Sequence, residues 1–275
     1  MTSALHLTKA HGLGNDFLIA LESENPGLAP NPALARALCA RHRGIGADGL
    51  LYGLAPDSPG ADLTMVLHNA DGSLAEISGN GIRCLGQAAL RARGTRDATI
   101  VIDAGSGRRV LTSRATEDPD VDMLRVEMGD VGDGPPLAES ALHWGALHVA
   151  SAEVGNPHLV LHVDSLDGID VATEGARLES DVPGGINVHF LATVGPDTIR
   201  LLHWERGAGI TEACGSGATV SSYLANRWGL VGDTVTVEMP GGAATVEVST
   251  PMALIGEAVH IASIDIENPE VLLAR

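Results

Sequence analysis

Short apolar or alternating runs recur along the chain, and turn residues bound most of them. The pattern predicts many β-strands, mostly antiparallel, with turns such as Asp71-Gly72 and Pro240-Gly241-Gly242 between them. The predicted strands are Asp62–His68, Ala98–Asp103, Val121–Met128, Leu142–Val149, Leu159–Val163, Ile186–Thr193, Thr198–His203, Thr234–Met239 and Ala258–Ile266.

Helix signals are fewer. They favour helices at Pro32–His42, Gly81–Arg93 and Ala218–Trp228. In the second of these, three apolar residues fall on one face and Gly94 supplies a stop. The last two are rich in Ala, Gly and Ser, as expected of helices that run through a crowded interior.

Two similar segments lead into those last two helices. They are Ser78-Gly79-Asn80-Gly81-Ile82-Arg83-Cys84 and Cys214-Gly215-Ser216-Gly217-Ala218-Thr219-Val220. Their separation, about half the chain, predicts a duplication: an α+β fold of two pseudo-symmetric domains, each a mostly antiparallel, barrel-like sheet around a central helix. We assign residues 1–116 and 265–275 to the N-terminal domain and residues 117–264 to the C-terminal domain, with Ser113–Val121 as the linker.

The repeated motifs indicate an anion site. A helix N-terminus offers unpaired N–H groups and partial positive charge, so we expect one from each half to face a shared cleft and hold a carboxylate. Cys214 at such a terminus is a candidate reactive thiol, with a pKa expected to fall toward neutrality. Cys39 and Cys84 lie within helix patterns and are predicted to be core residues.

Composition excludes several classes of protein. The net charge of −18, with no basic run, argues against a nucleic-acid partner. Lys9 is the only lysine among 17 basic residues, which makes a pyridoxal-phosphate enzyme improbable. Three cysteines without a CxxC pair indicate neither a disulfide framework nor a zinc site. No signal peptide or membrane-length apolar run is evident, so we expect a cytoplasmic enzyme.

Other polar residues are ambiguous by themselves. Glu205-Arg206 ends a predicted strand beside a glycine-rich loop, which suits recognition of amino and carboxylate groups or a solvated strand end. Turn asparagines usually serve the backbone, and His11 and His158 are more typical of structural roles. The asparagines in question are Asn15, Asn69, Asn156 and Asn187.

Taken together, these residues form a specific series. In order along nearly the full chain stand His11-Gly12-Leu13-Gly14-Asn15-Asp16-Phe17, Arg43-Gly44-Ile45-Gly46-Ala47-Asp48-Gly49, Asn69-Ala70-Asp71-Gly72-Ser73, Gly79-Asn80-Gly81-Ile82-Arg83-Cys84, Gly155-Asn156-Pro157-His158, Glu205-Arg206-Gly207 and Ala213-Cys214-Gly215-Ser216-Gly217. In this series the chain resembles the diaminopimelate epimerase family.

The resemblance implies two similar halves with the site between them, and interconversion of LL- and meso-diaminopimelate without a cofactor. It implies a small-molecule substrate, commonly a homodimer, and Cys214 as one of two proton-transfer residues. It further implies that the substrate α-carboxylate binds the N–H groups of Gly79, Asn80, Gly215 and Ser216. The distal end of the substrate is then held by Asn15, Asn69, Asn156, Asn187, Glu205 and Arg206, with His158 as a supporting residue.

Ser78 departs from this family, which usually has its first catalytic cysteine there. A serine hydroxyl is a far weaker acid than a thiol. Ser78 is therefore a natural variant with altered proton transfer, an introduced Cys→Ser change, or the mark of a one-base relative. Three alternatives stay open: a racemase or dehydratase of proline-like amino acids, a catalytically silent diaminopimelate-binding protein, and a Cys–His hydrolase using Cys214 and His158.

Overall fold

The computed structural model describes residues 4–75, 78–105 and 107–269. These residues form two compact units. The first runs from the start of the described chain to Val126 and resumes at Gly256, and the second is Glu127–Ile255. The sequence predicted the domain boundaries at residues 116/117 and 264/265. Residues 270–275 of the predicted N-terminal domain lie outside the described part.

Strands make up most of both units. In chain order they are β1 (Leu5–Gly12), β2 (Asn15–Leu21), β3 (Gly49–Leu54), β4 (Leu63–Asn69), β5 (Leu74–Ala75), β6 (Ala98–Ala104), β7 (Gly107–Ala115), β8 (Val121–Gly129), β9 (Gly132–Asp133), β10 (His148–Glu153), β11 (Pro157–His162), β12 (Asn187–Gly195), β13 (Thr198–Glu205), β14 (Gly209–Ile210), β15 (Thr234–Met239), β16 (Gly242–Glu247) and β17 (Met252–Ile266). The helices of the described chain are α1 (Pro32–Cys39), α2 (Gly79–Ala92), α3 (Glu139–Leu142), α4 (Val171–Ser180) and α5 (Gly215–Arg227).

The first unit is a closed barrel around α2. Its strands pair in the order β1-β2-β3-β4-β6-β7-β8-β17, and β17 pairs back with β1. The β2–β3 and β4–β6 pairings are parallel, and the other pairings with a defined register in this ring are antiparallel. Every residue of Gly79–Leu90 is buried. A Cβ at Gly86 would lie 2.8 Å from Leu111, so the small residues of α2 allow the strands to approach it closely.

The second unit repeats this order around α5. Antiparallel and parallel pairings alternate from β10 through β11, β12 and β13 to β15, and β15-β16-β17 continue antiparallel. The two-stranded additions also correspond, since β5 pairs with β4 and β14 pairs with β13. The predicted duplication, with one central helix in each half, is confirmed.

Two local predictions are wrong. Most of Leu142–Val149 is not a strand, because α3 ends at Leu142 and the chain turns at Gly145, with φ of 93°. The strand β10 begins only at His148. The side chain of Trp144 instead packs on Phe190, with ring centroids 5.1 Å apart. The predicted linker Ser113–Val121 is the end of β7, a turn and the first residue of β8, a hairpin within the first unit.

The helix α4 gave no clear signal in the sequence. Its buried residues are only Gly175 and Leu178, so the apolar stripe is too thin to recognise. A Cβ at Gly175 would collide with Trp204, which explains a glycine inside this helix. Asp170 caps the helix by accepting from the N–H of Thr173 at 3.2 Å.

Candidate active site

Both repeated motifs begin a buried helix in the same way. Ser78 and Cys214 have extended backbone, with φ and ψ of −140° and 116° and of −121° and 104°. Their carbonyl groups accept the first helical hydrogen bonds, from Ile82 at 2.9 Å and from Ala218 at 2.8 Å. The hydroxyl of Ser78 also accepts from the N–H of Gly81 at 2.9 Å, whereas the sulfur of Cys214 makes no capping hydrogen bond. The same backbone conformation thus places two different side chains, a hydroxyl and a thiol, at the start of a helix.

In the first unit, a chain of hydrogen bonds orients two of the predicted asparagines. The Nδ2 of Asn80 donates to Oδ1 of Asn15 at 3.3 Å, and Asn15 donates to Asp48 at 2.8 Å. Arg83 is completely buried and donates to Oδ1 of Asn80 at 2.8 Å and to the carbonyl of Gly79 at 3.1 Å. The guanidinium therefore fixes the Asn80 amide at the start of α2.

A tight turn brings Asn15 to this cluster. Gly12 and Asn15 pair across β1 and β2, and the turn residues Leu13 and Gly14 have φ of 54° and 81°. Positive φ at both central residues is typical of a type I′ hairpin turn. A Cβ at Gly12 would lie 3.1 Å from Arg83, so glycine permits the close approach.

Asn69 lies in the same part of the first unit. Its side chain donates to the hydroxyl of Ser73 at 3.0 Å, within the turn after β4. The next residue, Ala70, donates its N–H to the carbonyl of Asp48 at 2.9 Å. Asp48 therefore connects the segment of Asn69 with the side chain of Asn15.

In the second unit, Cys214 is a buried thiol beside a carboxylate. It is 2% exposed, its sulfur lies 3.8 Å from Oγ of Ser216, and the carboxylate of Glu205 acts on the thiol. Burial and then the charge of Glu205 raise the pKa of Cys214 well above its usual range, although the N–H of Gly217 and the Ser216 hydroxyl lower it. The expected fall of this pKa toward neutrality is wrong, because loss of hydration outweighs the helix N-terminus.

Glu205 is itself held by a neighbouring pair. The hydroxyl of Thr211 donates to Oε1 of Glu205, and Nε2 of His203 lies 3.0 Å from the Thr211 oxygen. Burial lowers the pKa of His203 to about 4, so the ring is neutral at pH 7. Thr211 and His203 thereby hold the Glu205 carboxylate in place.

His158 has both ring nitrogens engaged. Nε2 lies 2.8 Å from Oδ1 of Asn156, and Nδ1 lies 2.8 Å from Nε2 of His189. Burial, with the positive charge of Arg206, lowers the pKa of His158 to about 3. No nitrogen remains to pair with the Cys214 thiol, which argues against a Cys–His hydrolase.

Asn187 connects β11 with Arg206. Its Nδ2 donates to the carbonyl of Pro157 at 2.9 Å, and its Oδ1 accepts from the backbone N–H of Arg206 at 3.0 Å. Arg206 also donates to the carbonyl of Gly184 at 3.4 Å. The second unit thus supplies amide, carboxylate, guanidinium and thiol groups.

Comparison with known proteins decides the family. A family model described as diaminopimelate epimerase matches residues 7–132 and 150–261. Diaminopimelate epimerase of Prochlorococcus marinus (strain MIT 9313) is 37% identical, over 90% of this chain and 86% of the relative. That of Bacteroides thetaiotaomicron is 38% identical, over 90% of this chain and 91% of the relative. The chain belongs to the diaminopimelate epimerase family. It is accordingly an isomerase.

Solved structures show the fold of this epimerase-family chain. A hydroxyproline epimerase from Agrobacterium vitis superposes with a TM-score of 0.74 at 15% identity, over 96% of this chain and 93% of that one. A phenazine biosynthesis protein of the PhzF family from Bacillus anthracis gives 0.71 at 14% identity, over 96% and 99%. At such identities the likeness concerns the fold alone, and it confirms the α+β class.

The structure divides the predicted site residues of this epimerase-family chain between its units. The first unit holds Ser78 with Asn15, Asn69, Gly79 and Asn80, and the second holds Cys214 with Asn156, His158, Asn187, Glu205, Arg206, Gly215 and Ser216. Sequence reasoning missed His189 and His203. Each lies two residues from a predicted site residue, Asn187 or Glu205, on the same face of its strand, so the period of two could have indicated them.

Several other features bear on the chemistry available. All three cysteines are free and buried, and the prediction that Cys39 and Cys84 are core residues is confirmed. Burial raises the pKa of Cys39 and of Cys84 to about 12.

Within the described chain, no three His, Cys, Asp or Glu side chains are grouped to hold a metal ion. None of the described helices has both the length and the apolar character to cross a membrane.

Proposed function

We propose that this protein interconverts LL- and meso-diaminopimelate by moving a proton at the substrate's α-carbon, without a cofactor. Its membership of the diaminopimelate epimerase family supports this substrate. The observation that carries the reaction is the buried Cys214 thiol at the start of α5, on which the carboxylate of Glu205 acts. A thiol beside an acceptor can release its proton and then take one from carbon.

Cys214 acts on one face of the α-carbon. Its proton passes to Glu205, and the thiolate takes the α-hydrogen while the electron pair of the C–H bond moves into the carboxylate-stabilised carbanion. Because burial raises the pKa of Cys214, the thiolate formed is a stronger base than an exposed one. In the reverse direction the same sulfur returns the proton.

Ser78 serves the other face through its hydroxyl. The oxygen accepts from Gly81, which leaves the hydroxyl hydrogen to be donated to the carbanion. The alkoxide that this leaves takes a proton back from solvent water, and Glu205 releases to solvent the proton that it received from Cys214. Since serine is a much weaker acid than cysteine, protonation on this face limits epimerisation. Exchange of the α-hydrogen with solvent through Cys214 therefore outpaces inversion.

The remaining polar residues bind the substrate. The first N–H groups of α2 and α5 take the α-carboxylate, where negative charge develops in the transition state; they belong to Gly79, Asn80, Gly215 and Ser216. The distal end of the substrate is assigned to Asn15, Asn69, Asn156, Asn187 and Arg206. Glu205, expected there from sequence, is assigned beside the thiol because its charge raises the pKa of Cys214 and its carboxylate accepts from Thr211.

The cellular setting is proposed from the cysteines and the family. Three free, buried cysteines suit a reducing compartment, which supports a cytoplasmic role in lysine and peptidoglycan precursor synthesis. The proposed homodimer rests on the family resemblance. Sedimentation equilibrium at micromolar concentration measures it directly, and a single species of one chain's mass would refute it.

Solvent-deuterium incorporation into LL- and meso-diaminopimelate tests the reaction. The wild-type protein should label one isomer with retention faster than it forms the other. Ser78→Cys should raise inversion about 100-fold, and Cys214→Ala should lower exchange about 1000-fold, because positioned acid–base groups contribute on this scale. Mass spectrometry with chiral separation reads both outcomes.

Cys84→Ala is the matched control, because it also removes a buried thiol, from the interior of α2. It should leave exchange unchanged. Undiminished exchange in Cys214→Ala would contradict the role of the thiol. Turnover of proline or 3-hydroxyproline in place of diaminopimelate would instead favour the racemase or dehydratase alternative.

A further inference from the structure

Three buried histidines occupy adjacent strands of the second unit. His158, His189 and His203 lie on β11, β12 and β13, and each is at most 2% exposed. His189 faces His203 across the β12–β13 ladder, with ring centroids 6.0 Å apart. A Cβ at Gly217 would collide with the ring of His189, so this ring packs against the first turn of α5. We call the three residues the histidine cluster.

The hydrogen bonds of the cluster have a direction. Oδ1 of Asn156 can only accept, so Nε2 of His158 carries the hydrogen between them. Burial keeps the His158 ring neutral, which leaves its Nδ1 bare. That nitrogen must then accept from Nε2 of His189. His189 is consequently an Nε2–H tautomer as well.

The reverse orientation of the Asn156 amide is disfavoured. It would make His158 donate from Nδ1 and would leave the hydrogen of His189 on its own Nδ1. That atom is buried and has no hydrogen-bond partner. A buried N–H without an acceptor is rarer in proteins than an acceptor without a donor. The unpartnered nitrogen of His189 therefore selects the first orientation.

The other end of the cluster follows the same logic. Thr211 has one hydroxyl hydrogen, and it is donated to the carboxylate of Glu205. The Thr211 oxygen must accept from Nε2 of His203, since the hydroxyl hydrogen is already used. Nδ1 of His203 is buried and unpartnered, as in His189, which again places the hydrogen on Nε2.

We propose that His189 and His203 are positioning residues, whose Nε2–H groups orient the Asn156 amide and the Glu205 carboxylate. His189 acts through His158, whose N–H holds the Asn156 oxygen and turns the NH₂ group away from the ring. His203 acts through Thr211 and keeps Glu205 beside the Cys214 thiol. The consequence for substrate binding and proton transfer rests on the proposed function.

The tautomers can be measured without any activity. Long-range ¹H–¹⁵N correlation spectra of the wild-type protein at pH 7 should show a protonated Nε2 and a bare Nδ1 for all three histidines. A hydrogen on Nδ1 of His189 or His203, or a charged ring at pH 7, would overturn the proposal.

Paired variants test the positioning itself. His189→Leu should raise the KM for diaminopimelate about tenfold with little change in kcat, because Asn156 loses its fixed orientation. His203→Leu should lower kcat about tenfold with little change in KM, because Glu205 is released. Glutamine keeps an N–H at a similar reach, so His189→Gln and His203→Gln should each recover to within about threefold of wild type.

His162→Leu is the matched control. His162 is a buried histidine of β11 that stacks on His148 and Trp228, away from the cluster, so its loss should change stability but neither kcat nor KM. Leucine variants of the cluster with wild-type kcat/KM, or a failure of both glutamine variants to recover, would show the positioning role to be wrong. If the wild-type protein exchanges no α-hydrogen of diaminopimelate, the proposed function fails, and the tautomers alone decide the proposal.

Discussion

The starts of α2 and α5 share a backbone and differ in what surrounds it. At α2, the Ser78 hydroxyl caps the helix and the buried Arg83 supports Asn80 from within. At α5, the Cys214 sulfur makes no cap, and the neutral ring of His189 packs on the first turn. One terminus is thus stabilised by a cation and a cap, and the other packs on an uncharged ring.

This difference separates a structural use of the motif from a chemical one. A hydroxyl that accepts a helix N–H contributes its oxygen to the fold. Sulfur is a weak acceptor, so Cys214 remains a thiol whose proton can be given up to Glu205. The two motifs therefore keep the same backbone at the start of each helix, whereas the residues before those helices, Ser78 and Cys214, differ in their capacity to transfer a proton.

The largest expected effect of a single substitution on stability comes from removing the buried cation, Arg83. Arg83→Leu should lower the free energy of unfolding by about 3 kcal/mol, because three acceptors, two of them in fully buried hydrogen bonds, lose a charged donor. Those acceptors are the carbonyl groups of Gly79 and Glu257 and the amide oxygen of Asn80. Urea denaturation measures the change. Arg83→Lys should recover less than half of it, since an ammonium cannot replace the planar fork.

An arginine of α5 provides the control. Arg227 lies at the exposed end of that helix and donates to the Tyr223 hydroxyl at 3.0 Å. Arg227→Leu should change stability by less than about 0.5 kcal/mol. Equal losses in Arg83→Leu and Arg227→Leu would remove the distinction between a buried cation in one unit and uncharged rings in the other.

Acid should weaken the second unit through its histidines. Burial lowers the pKa of His158 to about 3 and of His203 to about 4, and that of His189 well below its usual range. Because the unfolded chain binds more protons below the ordinary histidine pKa, stability falls as pH drops from about 6.5 to about 4. At pH 5 the loss is about 2 kcal/mol for His158 and about the same for His203.

Stability curves between pH 7 and pH 5 measure this, with His203→Gln as the comparison. The variant should lose about 2 kcal/mol less than wild type over this interval. Hydrogen exchange should show the amides of α5 losing protection before those of α2. Parallel curves for the two proteins would mean that His203 is already charged in the folded state or that water reaches its ring.

The architecture was more accessible from sequence than the electrostatics. Short alternating runs predicted the sheets, and a helix rich in small residues after a Gly-x-Gly turn predicted α2 and α5, because tight packing against a surrounding sheet requires such residues. The same reasoning misjudged Cys214, since the helix N-terminus is local in sequence whereas burial and Glu205 depend on the tertiary fold. The pairing of His189 with His203 likewise depends on the register of β12 and β13.

The smallest predicted effect concerns the oxygen of Ser78, which both caps α2 and takes part in the proposed proton transfer. Ser78→Cys should lower the free energy of unfolding by about 1 kcal/mol, because sulfur replaces the oxygen that accepts from Gly81. Cys214→Ser should stay within about 0.5 kcal/mol of wild type, because a new hydroxyl can cap α5 and offset the loss of the buried sulfur. Urea denaturation of both variants measures the pair. If Ser78→Cys is as stable as wild type, the serine oxygen contributes nothing to α2. If it is less stable and yet epimerises faster, the serine favours the fold at the expense of proton transfer.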